Sequence, residues 1–274
     1  KSSLAGHDGI CEVPPSRWDV DVYCARDAQA PGRSYSYHGG FVDGVELFDR
    51  ERFRIAASEA LAMDPGQRLL LQAGYEALTL AGFEEAPTRY GSTAVAVAQT
   101  QHDWALLASV AEPSAYAGAG ANAAISANRF SYVMGMRGPS CVCDAACASS
   151  LVAVDVARSY TERGRCDTAL AAAVNLLLSP FVFVSYSAAH MLSPSGRCLA
   201  FDAGADGYAR AEGVCAVLLD AAREQSSASP RVLAVAVNND GRSAGLTAPN
   251  GPAQQDVIRL ALREASLSPA EVYA

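Results

Sequence analysis

The sequence predicts an α/β fold in which helices cover a mostly parallel sheet. Strand-length apolar runs alternate with helix-length amphipathic runs along most of the chain, and alanine is abundant while charged residues make up only 18%. Alternation of the two element types is typical of a parallel sheet, and small side chains let helices approach it closely. With 274 residues, half of them hydrophobic, the chain can build one large core or two fused halves.

The first long helix is predicted after an irregular N-terminal region. Residues 1 to about 50 are rich in Pro, Gly, Tyr and Asp, which indicates surface structure with short elements. Asp64 can cap a helix, Pro65 suits its first turn, and Gly82 can end it. The apolar face of this helix would consist of Leu69, Leu70, Ala73, Ala77 and Leu78.

The alternation continues to the end of the chain. Strands are predicted at Gly91 to Ala98, at Thr168 to Val174, at Val214 to Leu219 and at Val232 to Val237, and the run from Gly138 to Cys143 is predicted to be a turn that enters a short buried strand. Helices are predicted at Ala121 to Met134, at Leu151 to Tyr160 and at Pro252 to Ala265. The stretch from Arg223 to Pro230 has the composition of a linker, so residues 231–274 are expected to begin a second unit.

Composition excludes several classes of function. The 21 basic and 29 acidic residues give a net charge of −8 without a basic stripe, which argues against a nucleic-acid partner. No run of eighteen or more apolar residues and no signal pattern occurs, so neither membrane insertion nor secretion is expected. The eight cysteines lack the density of a disulfide scaffold, which predicts a reducing, cytoplasmic location. Because the first residue is Lys1, a targeting segment for an organelle could lie outside this sequence.

Cys147 is the candidate nucleophile. It lies in a turn of small residues between a predicted strand and a predicted helix, in the run Asp144-Ala145-Ala146-Cys147-Ala148-Ser149-Ser150-Leu151. The unpaired N–H groups and the positive end of a helix dipole favour a thiolate there. Two other interpretations stay open on spacing alone: a small buried core residue, and a metal site shared with Cys141 and Cys143. The second lacks a further Cys or His cluster at matching spacing.

Ordered motifs over nearly the whole chain resemble the β-ketoacyl synthase (ketosynthase) domain of type I polyketide synthases. They are Glu12-Val13-Pro14, Arg17-Trp18-Asp19, Ala62-Met63-Asp64-Pro65-Gly66-Gln67-Arg68-Leu69-Leu70-Leu71, Asn128-Arg129-Phe130-Ser131-Tyr132, Gly138-Pro139-Ser140, the Cys147 turn, Gly196-Arg197-Cys198, Phe201-Asp202, Asp206-Gly207-Tyr208, Glu212-Gly213, Asn239-Asp240-Gly241-Arg242-Ser243 and Gly245-Leu246-Thr247-Ala248-Pro249-Asn250-Gly251-Pro252.

This resemblance implies the thiolase-like fold, built from two similar α/β halves. Residues 1–220 would form the N-terminal half without its first strand and helix, and residues 221–274 the linker and the start of the C-terminal half. The chain would then be truncated at both ends, before the family's His-Gly-Thr-Gly-Thr segment. None of His7, His38, His102 or His190 lies in a catalytic motif of the family.

The resemblance also implies a chemistry and partners. Cys147 would accept an acyl group from the phosphopantetheine thiol of an acyl-carrier protein, and a malonyl-type extender would then lose carbon dioxide and attack the thioester. No directly bound cofactor and no metal are implied. A homodimer is implied, with the helix from Ala121 and the strand before Cys147 in the dimer face.

Alternatives remain at the level of the sequence. A thiolase or initiating synthase would use coenzyme A substrates, and a non-catalytic partner of the same fold would usually lack the cysteine. A further alternative is a catalytically incomplete fragment, inactive as an isolated chain although its parent is an acyltransferase.

Several residues depart from the family pattern or have open roles. Ala145, Ala148, Gly66 and Ala211 differ from the family's usual residues, as does the stretch from Phe53 to Glu59; we interpret these as divergence that leaves the nucleophile in place. Asp206 and Glu212 are expected to be turn and cap residues. Phe181, Phe183 and Tyr186 are either core or the lining of an acyl tunnel.

Overall fold

The structure is a computed structural model that describes residues 8–84, 90–110, 114–221 and 230–272. Its helices are α1 (Val20–Tyr23), α2 (Ala57–Ala62), α3 (Pro65–Leu80), α4 (Asp103–Ala108), α5 (Ala117–Ala121), α6 (Ala124–Met134), α7 (Ser149–Glu162), α8 (Phe181–Ala188) and α9 (Gly251–Glu264). Its strands are β1 (Ile10–Glu12), β2 (His38–Gly40), β3 (Ala94–Ala98), β4 (Ser140–Cys143), β5 (Thr168–Asn175), β6 (Arg210–Ala211) and β7 (Gly213–Asp220).

A four-stranded sheet in the order β4-β3-β5-β7 forms the centre of the described fold. The strands β4, β3 and β5 run parallel, with Val95 opposite Ser140 and Leu170. β7 pairs with β5 antiparallel, from Thr168 opposite Asp220 to Asn175 opposite Gly213. The predicted α/β architecture is therefore confirmed, with an antiparallel strand at one edge.

Alternating residues of β3 face two different helix layers. Val95 and Val97 pack with α3 and α6 in a core of large side chains, whereas Ala94, Ala96 and Ala98 pack against Ala153 and Ala157 of α7. Side chains alternate between the faces of a strand, so the Ala-Val repeat makes one face small and the other bulky. The small face lets α7 lie close to the sheet, as the high alanine content predicts.

The helix α3 follows the sequence prediction closely. Asp64 is its N-cap and accepts the Gly66 N–H over 2.7 Å, and Pro65 is its first residue. Leu70 and Leu78 are fully buried against the sheet. Gly74 lies where a Cβ atom would come within 2.3 Å of the Phe130 ring, so the absence of a side chain allows α3 and α6 to touch.

The N-terminal region forms a second, small sheet in the order β1-β2-β6. β1 pairs antiparallel with β2, and Gly39 of β2 lies opposite Arg210 of β6 in parallel. Residues 8–50 thus have the short elements that their composition predicts. Through β6 they pair with a segment that enters β7 directly.

Three predicted elements differ from the structure by three residues or more. The strand predicted from Gly91 begins at Ala94. The helix predicted from Ala121 begins at Ala124, because Asn122 is extended and its side chain accepts the Ala124 N–H. The strand predicted at Val232 to Val237 is wrong, since this segment has no regular structure. A strand needs a hydrogen-bonded neighbour, and within the described residues no strand pairs with this apolar run.

The segment after the linker contains the predicted helix as α9, capped by the Asn250 side chain, which accepts the Ala253 N–H. The predicted linker lies outside the described residues except for Pro230. Among the helices of the described ranges, none is both long and apolar enough to cross a membrane.

Candidate active site

Cys147 lies in a short 3₁₀ turn, Ala146–Ala148, that joins β4 to α7. Ala146 has a φ of 50°, a left-handed conformation that L residues adopt at a cost of about 1–3 kcal/mol. Such strain at a strand-to-helix turn is typical of a nucleophile turn, in which the reactive side chain projects from the end of the sheet. The sequence prediction of a turn at this position is confirmed.

Hydrogen bonds from Ser149 and Asp144 hold this turn in its strained form. The Ala145 N–H donates to the Ser149 hydroxyl over 2.7 Å, and that hydroxyl donates to the Ala146 carbonyl over 2.6 Å. The Asp144 carboxylate accepts the Ala146 N–H over 3.1 Å. Ser149 is buried, so its bonds are shielded from water and fix the backbone beside Cys147.

The Cys147 side chain is exposed, unlike the cysteines of the preceding strand. Cys141 and Cys143 pack against the alanine face beneath α7. Burial, and then the neighbouring Cys141, raise the pKa of Cys143 to about 11, which keeps this thiol protonated. The arrangement separates one exposed thiol from two half-buried ones, so the three cysteines do not share one environment.

The helix α7 begins two residues after Cys147 and has no capping side chain. Its N-cap is Ala148, which has no side chain that can accept a hydrogen bond. The first N–H groups of a helix lack backbone acceptors and carry the positive end of its dipole. Here, however, the N–H groups of Ala148 and Ser149 donate to the carbonyls of Ala145 and Ala146 through the 3₁₀ turn. The expectation from the sequence that this helix end favours a thiolate therefore stays a prediction.

Cys147 opens into a cleft of about 970 Å³ at the carboxyl end of the parallel strands. Because β7 is antiparallel, its first residues reach the same edge of the sheet as the last residues of β3 and β5. Ligands bind to open α/β sheets at this edge. The lining residues are Ala98, Thr100, Gln101, Asp144, Ala146, Cys147, Ser149, Ser150, Ala173, Val174, Asn175, Tyr186, Met191, Tyr208, Arg210, Gly213, Val214 and Cys215.

Two tyrosines and an arginine form the polar wall of the cleft. The guanidinium carbon of Arg210 lies 5.3 Å from the centroid of the Tyr186 ring. Burial raises the pKa of the Tyr208 hydroxyl, and a negative charge on Cys147 raises it further. The charge of Arg210 and its hydrogen bond to Tyr208 lower this pKa. Tyr208 is thus within electrostatic reach of both Cys147 and Arg210.

Glu212 anchors the chain directly after β6, the strand that carries Arg210. Its fully buried carboxylate pairs with Arg17, at 2.8 Å from Nε and 2.8 Å from Nη2. It also accepts the Val42 N–H over 2.8 Å and the Leu177 N–H over 3.0 Å. The expected cap residue is therefore a junction between the small sheet, the end of β5 and the N-terminal region.

Asp103 has a similar role behind the cleft. One of its carboxylate oxygens accepts the N–H groups of Leu178 and Ser179, each over 3.0 Å, which fixes the loop between β5 and α8. Burial raises the pKa of Asp103, and these two hydrogen bonds and Arg210 act in the opposite direction. The carboxylate thus contributes charge near Arg210 without contacting it in an ion pair.

The aromatic run of α8 divides between the two predicted roles. Phe183 is only 1% exposed and packs on Trp18, with ring centroids 5.1 Å apart, so it belongs to the core. Phe181 is 63% exposed. Tyr186 lines the cleft, as the acyl-tunnel hypothesis required of it.

Histidines do not line the cleft among the residues that the structure describes. His38 belongs to β2, His102 precedes α4, and His190 stacks on the Tyr35 ring at 6.2 Å between centroids. His7 lies outside the described residues. Tyr208, Arg210 and Met191 are cleft residues that sequence reasoning missed; the signal for the first was its place in the Asp-Gly-Tyr motif, and the other two gave none.

Comparisons with protein families give two adjoining matches. Residues 1–225 match the family described as "Beta-ketoacyl synthase, N-terminal domain", and residues 230–274 match "Beta-ketoacyl synthase, C-terminal domain". Together these matches span most of the chain.

Among curated proteins, the chain is similar to two phenolphthiocerol/phthiocerol polyketide synthase polypeptides of Mycobacterium tuberculosis. It is 44% identical to one of them over 278 residues, which cover 98% of this chain and 13% of that protein. It is 43% identical to the other over 277 residues, which cover 98% of this chain and 18% of that protein. The chain therefore spans less than a fifth of the length of these relatives.

Solved structures give the same result. The oxazolomycin ketosynthase domain of Streptomyces albus matches with a TM-score of 0.85 and 36% identity, over 98% of this chain and 49% of that one. The ketosynthase from module 6 of the bacillaene synthase of Bacillus subtilis matches with a TM-score of 0.84 and 31% identity, over 98% of this chain and 45% of that one.

Proposed function

Because the chain belongs to the β-ketoacyl synthase family, as a ketosynthase domain of a type I polyketide synthase with a thiolase-like fold, we propose that Cys147 is its catalytic nucleophile. The single observation that carries this proposal is the exposed thiol on a strained strand-to-helix turn, which opens into a cleft of about 970 Å³. The substrate is an acyl group carried on the phosphopantetheine thiol of an acyl-carrier protein.

The first step is the transfer of the acyl group to Cys147. The Cys147 thiolate attacks the thioester carbonyl, a bond forms between its sulfur and that carbon, and the bond to the pantetheine sulfur breaks. Pantetheine leaves as a thiolate and takes up the proton that Cys147 lost. The tetrahedral oxyanion needs N–H donors. The Cys147 N–H is suited to this task because it donates to no acceptor among the described residues.

The second step is decarboxylative condensation in the parent protein. A malonyl-type extender loses carbon dioxide, and the electron pair of the broken carbon–carbon bond attacks the Cys147 thioester. The new carbon–carbon bond leaves a β-ketoacyl product on the carrier, and the Cys147 thiolate is released. The parent is thus an acyltransferase of the 3-oxoacyl-carrier-protein synthase type. Since no described histidine lines the cleft, we expect the isolated chain to complete only the first step.

Domain organisation, assembly and location form part of the same proposal. Residues 1–220 form the N-terminal ketosynthase half, and residues 221–274 the linker and start of the C-terminal half, in line with the family matches at 1–225 and 230–274. We propose a homodimer with α6 and β4 in its face. All eight cysteines are free thiols, which fits a reducing, cytoplasmic location.

The other candidate functions fit the site less well. A non-catalytic partner of the same fold has no use for an accessible cysteine on a strained turn. A coenzyme A-dependent thiolase would share the nucleophile, but the similar proteins are polyketide synthases and ketosynthase domains. The carrier-dependent synthase is therefore the function that we adopt.

The test measures whether Cys147 becomes acylated. The chain, its Cys147→Ala variant and its Cys215→Ala variant are incubated with an acyl-pantetheine thioester, and the intact masses are compared. Cys215 is the matched control because it is also exposed and lines the same cleft. We expect one adduct on the chain and on Cys215→Ala, and none on Cys147→Ala. An adduct that persists on Cys147→Ala would contradict the proposal. Condensation is tested in the parent protein, where Cys147→Ala should abolish formation of the β-ketoacyl product.

A further inference from the structure

We propose that Arg210 determines acyl-chain specificity, by binding an oxygen substituent on the chain that Cys147 carries. This inference rests on the proposed function, because it needs an acyl group attached to Cys147. It goes further by naming the class of substrate: acyl chains that carry a hydroxyl or ketone oxygen, in preference to fully reduced chains of equal length.

The first support is the position of Arg210. Its backbone is fixed in β6, opposite Gly39 of β2, and the next strand begins only three residues later. Its guanidinium lies over the Tyr186 ring, 5.3 Å from the centroid, and both side chains line the cleft. Cation–π contact holds a guanidinium in a defined orientation without consuming its in-plane N–H donors.

The second support is that the guanidinium is incompletely satisfied by the described part of the protein. Arg17 pairs with Glu212, and Arg129 donates to Glu59 and Gln67. None of the ion pairs among the described residues includes Arg210, and its Nε is buried without a hydrogen-bond partner. The Tyr208 hydroxyl beside it is neutral and can satisfy only part of a group with five donors. The enclosed Nε is out of a ligand's reach, so the Nη groups of this cleft-lining side chain are the donors that an acceptor on the acyl chain would pair with.

The third support is the path from the thiol to the guanidinium. Cys147, Tyr208 and Arg210 line the same cleft, so an acyl chain on the sulfur that occupies this cleft can extend past Tyr208 to Arg210. The cleft lining also includes apolar side chains, at Val174, Met191 and Val214. A reduced chain would match these side chains but leave guanidinium donors unpaired, whereas an oxygenated chain satisfies both.

The charges around Arg210 favour a neutral oxygen over a carboxylate. Asp103 lies within electrostatic reach and already balances part of the guanidinium charge, and Asp144 is the other charged residue of the cleft lining. A hydroxyl or ketone accepts a charge-assisted hydrogen bond without adding a third negative group. The malonyl carboxylate of the extender is therefore the less suitable ligand.

The experiment compares rates of Cys147 acylation with four pantetheine thioesters of one chain length: octanoyl, β-hydroxyoctanoyl, δ-hydroxyoctanoyl and β-keto-octanoyl. The unsubstituted chain is compared with Arg210→Met, which removes the donors but keeps an unbranched side chain, and with Arg210→Lys, which keeps the charge. We expect the unsubstituted chain to prefer at least one oxygenated thioester by about tenfold, since a charge-assisted hydrogen bond contributes at least that factor. Arg210→Met should lose the preference because the oxygenated thioesters acylate Cys147 more slowly, while the rate of octanoyl transfer stays within about twofold of that of the unsubstituted chain. Arg210→Lys should keep part of the preference.

The outcomes separate this inference from the proposed function. If no thioester acylates Cys147 in the unsubstituted chain, both fail. If Cys147 is acylated but Arg210→Met slows all four thioesters equally, or leaves their ratio unchanged, only the inference fails. Arg210→Met is also tested in the parent protein. If this variant is acylated normally at Cys147 but no longer decarboxylates a malonyl thioester, the guanidinium binds the extender and the inference is overturned.

Discussion

The buried pair between Arg17 and Glu212 gives the sharpest prediction about stability. The Glu212 side chain is 0% exposed and that of Arg17 only 6%. The carboxylate accepts four hydrogen bonds, two from Arg17 and two from backbone N–H groups, and it raises the pKa of Arg17. Glu212→Gln keeps the shape but turns one acceptor oxygen into a donor that faces other donors, and it leaves a buried cation without its counter-charge.

The expected cost follows from this geometry. Removal of one partner from a buried ion pair destabilises a protein by about 3–5 kcal/mol, whereas an exposed pair contributes about 0–1 kcal/mol. For a chain of this length, about 2–4 °C of melting temperature is lost per kcal/mol, so Glu212→Gln should melt roughly 6–20 °C lower. The matched control is Glu51→Gln, because Glu51 pairs with Arg50 on the surface.

Calorimetry of the unsubstituted chain, of Glu212→Gln and of Glu51→Gln checks this prediction. Arg17→Met combined with Glu212→Gln should recover part of the loss, since it removes the unpaired cation. If Glu212→Gln unfolds within about 1 kcal/mol of Glu51→Gln, the junction assigned to Glu212 does not stabilise the fold and the reasoning is refuted.

Three further predictions concern packing, pH and the nucleophile turn. Gly74→Ala should destabilise the chain by about 1–3 kcal/mol in urea unfolding, because its Cβ would meet the Phe130 ring at 2.3 Å. Gly118→Ala is the control, since Gly118 is also helical but has nothing within 4 Å, and it should be neutral or stabilising. Equal effects of the two variants would contradict the close contact of α3 and α6. Burial raises the pKa of the Cys24 thiol to about 11, whereas a thiol in the unfolded chain ionises near pH 9. The protonated Cys24 thiol therefore contributes fully to stability below about pH 9, and this contribution is lost as the pH rises to about 11. Urea midpoints should fall less over this range for Cys24→Ala than for Cys11→Ala, an exposed control, and the same fall in both would show that Cys24 is not responsible. Ser149→Ala should slow acylation of Cys147 about tenfold, because it removes two of the bonds that hold the turn. Ser159→Ala, in the same helix but outside the cleft lining, also loses a bond to a carbonyl three residues earlier and should change the rate less than about twofold; equal rates would mean that the turn does not need Ser149.

Locally encoded features were predictable from the sequence. The cap and first turn of α3 depend on Asp64 and Pro65, which are adjacent, and the structure has both. The turn at Cys147 is local as well, since a short apolar run, a run of small and acidic residues and an apolar helix follow one another directly. In both places the residues that form the structure are also neighbours in the chain.

Features that depend on pairing between distant segments were not predictable. The apolar run at Val232 to Val237 resembles a strand, but such a run becomes one only where a neighbour offers hydrogen bonds. The polar wall of the cleft also depends on pairing between segments that are distant in the sequence. Arg210 lies 63 positions after Cys147 in the sequence, and it reaches the cleft because β6 pairs with β2 and β7 returns antiparallel along β5.

The central claim is that one cysteine out of eight carries the acyl group, and peptide mapping of a single reaction tests it most directly. The chain is exposed briefly to a limiting acyl-pantetheine thioester, digested under acidic conditions, and the acyl group is quantified on every cysteine peptide. Cys198 and Cys215 are internal controls, because both are exposed but neither lies on the strained turn. The account predicts an acyl group on Cys147 at least about tenfold in excess of either control. Equal acylation of Cys147 and Cys215, which share the cleft, would contradict it.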